Sequence, residues 1–489
     1  MLVSKNFFNM KYLISRFSIA LILIASLGAC KKSFLDQSPN ISLPVDNAIT
    51  SEASMLEAVA GMYRSMTTYY TFGRNYQVMG DLLSDNVYLS NTNSSRFLGQ
   101  SAFVWTSESP EALALWRYTY YSILQANRII WSNLPRTGNV NYLRGECLTA
   151  RALCYFYLVN WFAKPYTASA DAPGVPLVLQ SANITGPLVY PARNTVGEVY
   201  TQIITDLDSA YNMMSDAPAL HGNTSNFLSK YAAKALQARA YLFMGQNDKA
   251  RDAAMQVITK GGFTLAADNS AYQTYWGGVT GRTDKLESIF EINNPSTANN
   301  GVEGLDYIYS PKGFGDLLAT DSLYNIYTAT DIRRGLIRDS LRSGKQAYVV
   351  QKYKNATGTD RDQMRMIRYA EVLLIAAEAY ARGGDVDNAL TYLNTLAKKR
   401  DPAFTGYTNA LSATDVINVV LRERQRELAF EGFRYLDLQR TNIDFKREDM
   451  GAKAVSNYPS VLTTDFRRIQ PIPLSEKNVN PNIEQNKDY

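Results

Sequence analysis

Ala240-Tyr241-Leu242-Phe243-Met244-Gly245-Gln246-Asn247-Asp248-Lys249-Ala250 and, further along, Ala379-Tyr380-Ala381-Arg382-Gly383-Gly384-Asp385-Val386-Asp387-Asn388-Ala389 follow one pattern. In each, an Ala-rich helical run ends at a Gly, and a second helical run begins near an Asp. Gly supplies the backbone freedom of a tight turn. The small Ala side chains let two helices approach closely, so each stretch reads as a helix hairpin.

Two such hairpins resemble the tetratricopeptide helix-turn-helix, and the pattern spreads from them. Ala150-Arg151-Ala152 echoes Ala238-Arg239-Ala240 and suggests a further unit around residues 141 to 162. Thr195 followed by Glu198 is a capping box ahead of Val199, Ile203, Leu207 and Ala210, which lie at helical spacing. Cys147 and Cys154 are two helical turns apart, about 10 Å, too far for a disulfide, and read as small core residues. The fold class is therefore mainly α: a tetratricopeptide-like helix-pair scaffold. Two stretches interrupt it. Residues 163 to 191 carry Pro165, Pro173, Pro176, Pro187 and Pro191 and read as an ordered surface loop. Residues 262 to 365, rich in Gly, Asn and Tyr, form a long irregular, loop-rich insertion with short strands at Ser288 to Ile292 and Tyr348 to Tyr353. Long irregular segments are usually functional, so the insertion is the first place to seek a ligand.

The 489 residues are 46% hydrophobic and 19% charged, a globular composition. Aromatics reach 12%, with 33 Tyr, and excess Tyr suits a surface that grips amphipathic ligands. Lys5, Lys11 and Arg16 precede an apolar block at Ile19 to Ala25, too short for a membrane span and typical of an export signal. The signal ends in Leu27-Gly28-Ala29-Cys30, which resembles a lipoprotein lipobox. Residues 1 to 29 are then a leader, 30 to 489 a single domain, and Cys30 the site of lipidation, whose several chains would anchor the protein stably. Removal of the leader takes away most of the formal charge of +5, and Lys and Arg are interleaved with Asp and Glu, so no nucleic-acid footprint is present.

Little in the chain points to catalysis. His221 is the only histidine and reads as a solvated loop residue. No zincin, phosphate-loop or nucleophile-elbow pattern is present, and Gly313-Phe314-Gly315 lacks the third glycine of a dinucleotide loop, so no cofactor is expected. Whether a metal such as Ca²⁺ binds is open. A carboxylate-pair glycosidase would be assembled only by folding. The acidic run from Glu423 to Glu431 reads as one helix with Glu423, Glu427 and Glu431 on one face and Arg422, Arg424, Arg426 and Arg434 nearby, best used as an ion-pair network.

Eight segments in order resemble the SusD/RagB family. They are Phe34-Leu35-Asp36-Gln37-Ser38-Pro39, Asp81 to Asn86, Arg151 to Val159, Ser229 to Gly245, Glu287 to Ile292, Arg368 to Leu374, Glu423 to Arg440, and Pro471-Ile472-Pro473 with Asn480-Pro481-Asn482 and Gln485-Asn486. The resemblance implies a non-enzymatic outer-membrane lipoprotein, exposed on the surface of a Gram-negative cell. Such a protein captures a glycan and passes it to a TonB-dependent transporter of the SusC type. Capture of a peptide or glycopeptide is the alternative within that class. A helical-repeat adaptor that contacts only proteins is a second alternative, and a surface hydrolase a third.

A sugar site needs flat rings for the C–H face of a pyranose and polar side chains for its hydroxyl rim. Two irregular stretches offer both. The first holds Tyr69, Tyr70, Phe72, Arg74, Asp85, Asn86, Arg96 and Trp105; the second holds Tyr272, Tyr275, Trp276, Tyr307 and Tyr309. Trp276, followed by Gly277-Gly278, reads as a ring at an exposed loop tip and is the leading single candidate.

Overall fold

Helix starts lie where the sequence offers a capping side chain. Ser51, Thr195, Ser229 and Ser412 each accept a backbone N–H from the first turn that follows, and Thr195 forms the expected capping box with Glu198. The structure, a computed structural model, describes residues 48–180, 189–216, 220–222, 224–455 and 459–489. The leader and Cys30 lie outside the described residues. The principal helices are α1 (Glu52–Met66), α2 (Asn75–Leu82), α3 (Pro110–Ile130), α4 (Gly138–Phe162), α5 (Val196–Met213), α6 (Lys230–Phe243), α7 (Asn247–Lys260), α8 (Asn269–Trp276), α9 (Tyr369–Arg382), α10 (Val386–Arg400), α11 (Ala413–Glu427) and α12 (Arg434–Arg440). The main strands are β1 (Val87–Leu89), β2 (Ser288–Ile292), β3 (Leu317–Ala319), β4 (Ile337–Arg342), β5 (Lys345–Val350) and β6 (Met364–Arg368).

The two sequence repeats are the hairpins α6–α7 and α9–α10. They turn at Gly245 and Gly384, whose φ of +71° and +83° a side-chain-bearing residue adopts only with strain. α7 packs on α9 and so joins the hairpins; α3, α4 and α5 continue the stack on one side and α11 on the other. The echo around 141 to 162 falls inside α4, which is buried along nearly its whole length and holds the unpaired thiols of Cys147 and Cys154. Ala240 and Ala379 are both buried in the main core. No helix among the described residues is long and apolar enough to cross a membrane.

Between the two hairpins lies the irregular segment. It is less stripped of helix than its composition suggests, because α8 and several single helical turns sit among β2 to β5. Strands β1, β3, β5 and β4 form one antiparallel sheet in that order, and β2 pairs with β6. β2 matches its predicted range. The strand expected at Tyr348 to Tyr353 instead ends at Val350, because Lys352 and Tyr353 leave the ladder to bond carbonyls of the segment after α11.

That segment also ends the predicted acidic helix early. α11 stops at Glu427, and Phe430 and Gly432 take left-handed φ values of +68° and +80°. Glu431 therefore lies beyond the helix, and the cations that meet these carboxylates come mainly from elsewhere. Glu427 receives Arg368 at 2.8 Å, Arg400 at 3.0 Å and Arg333 at 3.2 Å; Glu431 receives Arg368 and Lys352, and Glu423 receives Arg333. These groups are buried. Burial pushes the Lys352 ammonium down to about 8 against the pull of Glu431. Such a network contributes little net stability, but removing one partner strands a buried charge. It ties β6, α10 and the insertion to α11 in one register.

His221 is not a solvated loop residue. Its Nε2 lies 2.8 Å from Oε1 of the fully buried Glu146, its ring stacks on Phe227 at 3.8 Å, and Tyr63 donates to the same carboxylate. Among the proline-rich residues, 163–180 contain no helix, and 181–188 lie outside the described residues.

Candidate functional site

The site begins at the loop between α1 and α2. Gly73 closes it: a Cβ there would stand 2.2 Å from the Thr67 carbonyl and 2.6 Å from Asn300 Nδ2. Asn300, from the insertion, accepts from the Tyr69 N–H at 3.0 Å and donates to the Thr67 carbonyl at 2.8 Å. Clamped in this way, the loop presents Tyr69 and Tyr70 with ring centroids 4.0 Å apart. Tyr70 lies parallel to Tyr118 of α3, at 4.2 Å and 4°. All three rings are half-buried, and Tyr121, one turn further along α3, is exposed. The hydrogen bond with Tyr69, then burial, raises the Tyr70 hydroxyl above its ordinary value.

Rings and guanidinium groups alternate from here. Arg74 covers the Tyr69 ring at 4.7 Å and binds Glu303. Arg96 binds the same carboxylate and covers Phe314 at 4.5 Å; Phe314 meets Tyr307 edge-to-face at 5.4 Å, and Arg361 covers Tyr307 at 5.3 Å. The hydrogen bond from Arg96, seconded by Arg74, holds Glu303 below the usual carboxylate range. Burial raises Asp306, the partner of Arg361, to about 6. Beside this ribbon opens a cleft of about 390 Å³ lined by Arg74, Arg96, Leu98, Val104, Ser109 and Glu111. Its size lies within the range of small-ligand sites, and Leu98 and Val104 are exposed apolar side chains at its wall. Flat ring faces next to fixed donors can hold a ligand with an apolar face and a hydroxyl rim. Among the described residues no three His, Cys, Asp or Glu are grouped to hold a metal.

Of the residues singled out in the sequence, Tyr69, Tyr70, Arg74, Arg96 and Tyr307 come together here, so the two stretches meet at Glu303. The others do not. Trp276 is the last residue of α8 and fully buried; Gly277, at φ −84°, caps the helix and forms no loop tip. Its ring packs under Lys352 at 4.2 Å, Arg365 at 4.9 Å and Arg368 at 5.3 Å. Tyr272 and Tyr275 are buried in the same cluster, with Arg400 4.4 Å over Tyr272. Tyr309 is buried against Tyr353 at 5.6 Å, and Phe72 lies in the core. Trp105 is buried with its indole N–H donating to the Tyr489 hydroxyl. Asp85 is paired with Arg434 of α12 at 2.7 Å, and the buried Asn86 donates to Asp81 and accepts from Gln425. A buried ring or a saturated carboxamide cannot meet a ligand without opening the core.

Sequence reasoning missed Tyr118, Glu303, Asn300 and Phe314 as site residues. Two signals were there to use. Tyr118 and Tyr121 lie one turn apart on a helix whose buried face carries Leu115, Thr119 and Ser122, so both rings must face outward. Phe314 sits between two glycines, an unusual setting for a core ring. Glu303 and Asn300 carry no local signal, since their partners are more than 200 residues away.

Residues 33–242 match a family described as starch-binding and associating with the outer membrane, and residues 338–489 match the SusD family. SusD-like protein P2 of Formosa agariphila is 26% identical over 95% of this chain and 98% of its own. A crystal structure of a proposed sugar-binding protein of Bacteroides vulgatus superposes with a TM-score of 0.81 at 28% identity, covering 91% of this chain and 100% of that one. A SusD superfamily protein from the same organism gives 0.80 at 28% identity, with 90% and 100% covered.

Proposed function

Since this chain belongs to the SusD/RagB family, we propose that it is a cell-surface lipoprotein, anchored through Cys30, that captures a glycan and hands it to a SusC-like TonB-dependent transporter in the outer membrane. The sugar-binding description of a 28% identical structural relative supports a carbohydrate ligand. One observation carries the placement of the site. The Tyr69–Tyr70–Tyr118 stack is a half-exposed aromatic surface beside a cleft, held rigid by Asn300 and by the arginines on Glu303. A preformed stack spends no conformational entropy on ordering its rings when a sugar binds. The irregular segment 262–365 contributes Asn300, Glu303, Tyr307 and Phe314, so it acts as the ligand-bearing part of a single domain.

Calorimetry with a glycan and peptide panel tests the reading. Tyr118→Ala is expected to weaken the best glycan by about 1 to 3 kcal/mol with an unchanged melting temperature, because the ring is half-exposed on a helix surface. Selective binding of peptides, or glycan binding indifferent to Tyr118, would move the function to peptide capture or the site to another face.

A further inference from the structure

We propose that the ligand of the tyrosine surface is an anionic glycan, one bearing carboxylate or sulfate groups, and that Arg74 and Arg96 receive its charge at the seat now held by Glu303. The inference rests on the reading of this surface as the capture site.

The charge arrangement is the ground for it. Two guanidiniums converge on one carboxylate, which leaves a positive surplus beside the rings. Arg74 is the fixed member: its side chain is 8% exposed, its Nε donates to Asn75, and Tyr69 and Phe97 flank it. Burial, together with the charge of Arg96, lowers its pKa against the pull of Glu303, so Arg74 calls for an anion at that seat. Arg342 adds to the surplus. It donates to the carbonyls of Phe314 and Thr92, pairs with no carboxylate among the described residues, and its buried Nε has no acceptor. Among the described residues the Arg64 guanidinium likewise meets no carboxylate and donates to the Ala298 carbonyl and to Thr67 Oγ1.

The nearby carboxylates cancel these cations only in part. Asp306 is neutralised by Arg361, whereas Asp316, hydrogen-bonded by the N–H and hydroxyl of Ser94, keeps its charge and acts on Arg96, so that Arg74, Arg96 and Arg342 against Glu303 and Asp316 still leave one positive charge over. Glu111 also lines the cleft, in the first turn of α3, where the helix N-terminus favours it. Guanidinium donors also bond the hydroxyls of a neutral sugar, but a spare charge adds affinity only for an anion, and their forked donors fit carboxylate and sulfate oxygens. Glu303 can cede the seat: it is half-exposed on a single helical turn, Gly301–Glu303, that starts from a glycine with φ +54°.

Affinity electrophoresis of the purified protein in gels containing matched polysaccharides tests this. The probes are dextran, carboxymethyl-dextran and dextran sulfate, and methyl-esterified against free polygalacturonate; the two charged dextrans separate carboxylate from sulfate. Within a pair, the charged member is expected to bind about tenfold tighter at low salt, with the preference shrinking as salt is added. Arg96→Gln is expected to lower that ratio severalfold, and Glu303→Gln, which frees the seat, to raise it. Equal behaviour of charged and neutral members in every pair, or a preference that Arg96→Gln leaves intact, overturns the proposal. Loss of all binding in Glu303→Gln with an unchanged melting temperature also overturns it, because Glu303 would then serve the ligand directly. A charge preference abolished by Arg96→Gln, with the binding of both members unweakened by Tyr118→Ala, supports the anionic seat while sinking aromatic capture. Binding that depends on Tyr118 without any charge preference does the reverse.

Discussion

Trp276→Ala separates the core from the ligand surface. The ring is fully buried at the end of α8, and three cations lie over its faces: Lys352 at 4.2 Å, Arg365 at 4.9 Å and Arg368 at 5.3 Å. Truncating a buried Trp to Ala costs about 3 to 5 kcal/mol through lost transfer energy and the cavity left behind. The buried ammonium and guanidiniums also lose a polarisable face, which places the loss near the upper end of that range. Unfolding entropy is about 2 cal/mol/K per residue, so a chain of this length unfolding as a unit has about 1 kcal/mol/K. A loss of about 5 kcal/mol then lowers Tm by about 5 °C, and by more if the insertion unfolds separately. Scanning calorimetry of the variant beside Tyr118→Ala reads this directly, while titration with a glycan that binds the parent protein reads affinity. The expected result is a lowered Tm with affinity kept at temperatures where the variant is folded. An unchanged Tm with weakened binding would refute the placement of Trp276 in the core and return the site to α8.

Enlarging Ala240 or Ala379 to Leu should overpack a helix hairpin at about 1 to 3 kcal/mol each; melting curves that stay put for both would contradict the equivalence of the hairpins. Glu378 has an acid-side consequence. Burial raises its pKa, but the charge and hydrogen bonds of Arg440, with Arg382, overcome that and pull it down to about 2 from 4.5. Because the folded pKa lies below the unfolded one, this pair's contribution, about 3 kcal/mol, is whole above pH 4.5 and lost as pH falls through 2. Urea midpoints measured over that window should slope less in Glu378→Gln than in the parent, and parallel slopes would exclude the assignment. Cys30→Ser should leave the fold intact and release the protein from outer-membrane fractions; a variant that still sediments with membrane and carries no lipid would show that the anchor lies elsewhere.

The repeated Ala-Tyr…Gly…Asp…Ala pattern determined the helix hairpins and their turns, because helical periodicity, capping residues and a glycine that must take positive φ are local properties written within a dozen residues. The Thr195 capping box and β2 were legible for the same reason. The ion-pair use of Glu423, Glu427 and Glu431 was legible as chemistry, but their partners Arg333, Arg368 and Arg400 were not, since those come from three separate elements. The site followed the same division. Composition showed an excess of tyrosine, and Tyr70, Arg74, Arg96 and Tyr307 could be named, yet nothing local distinguishes the half-buried Tyr70 from the fully buried Tyr272. Which rings face solvent depends on what the rest of the chain lays over them. Lys352 and Arg368 cover Trp276, whereas the other face of the insertion brings Asn300 and Glu303 against the Tyr69 loop and leaves its rings open. That choice is made by contacts between segments far apart in sequence, more than 200 residues for those that open the Tyr69 loop, so only the tertiary structure decided it.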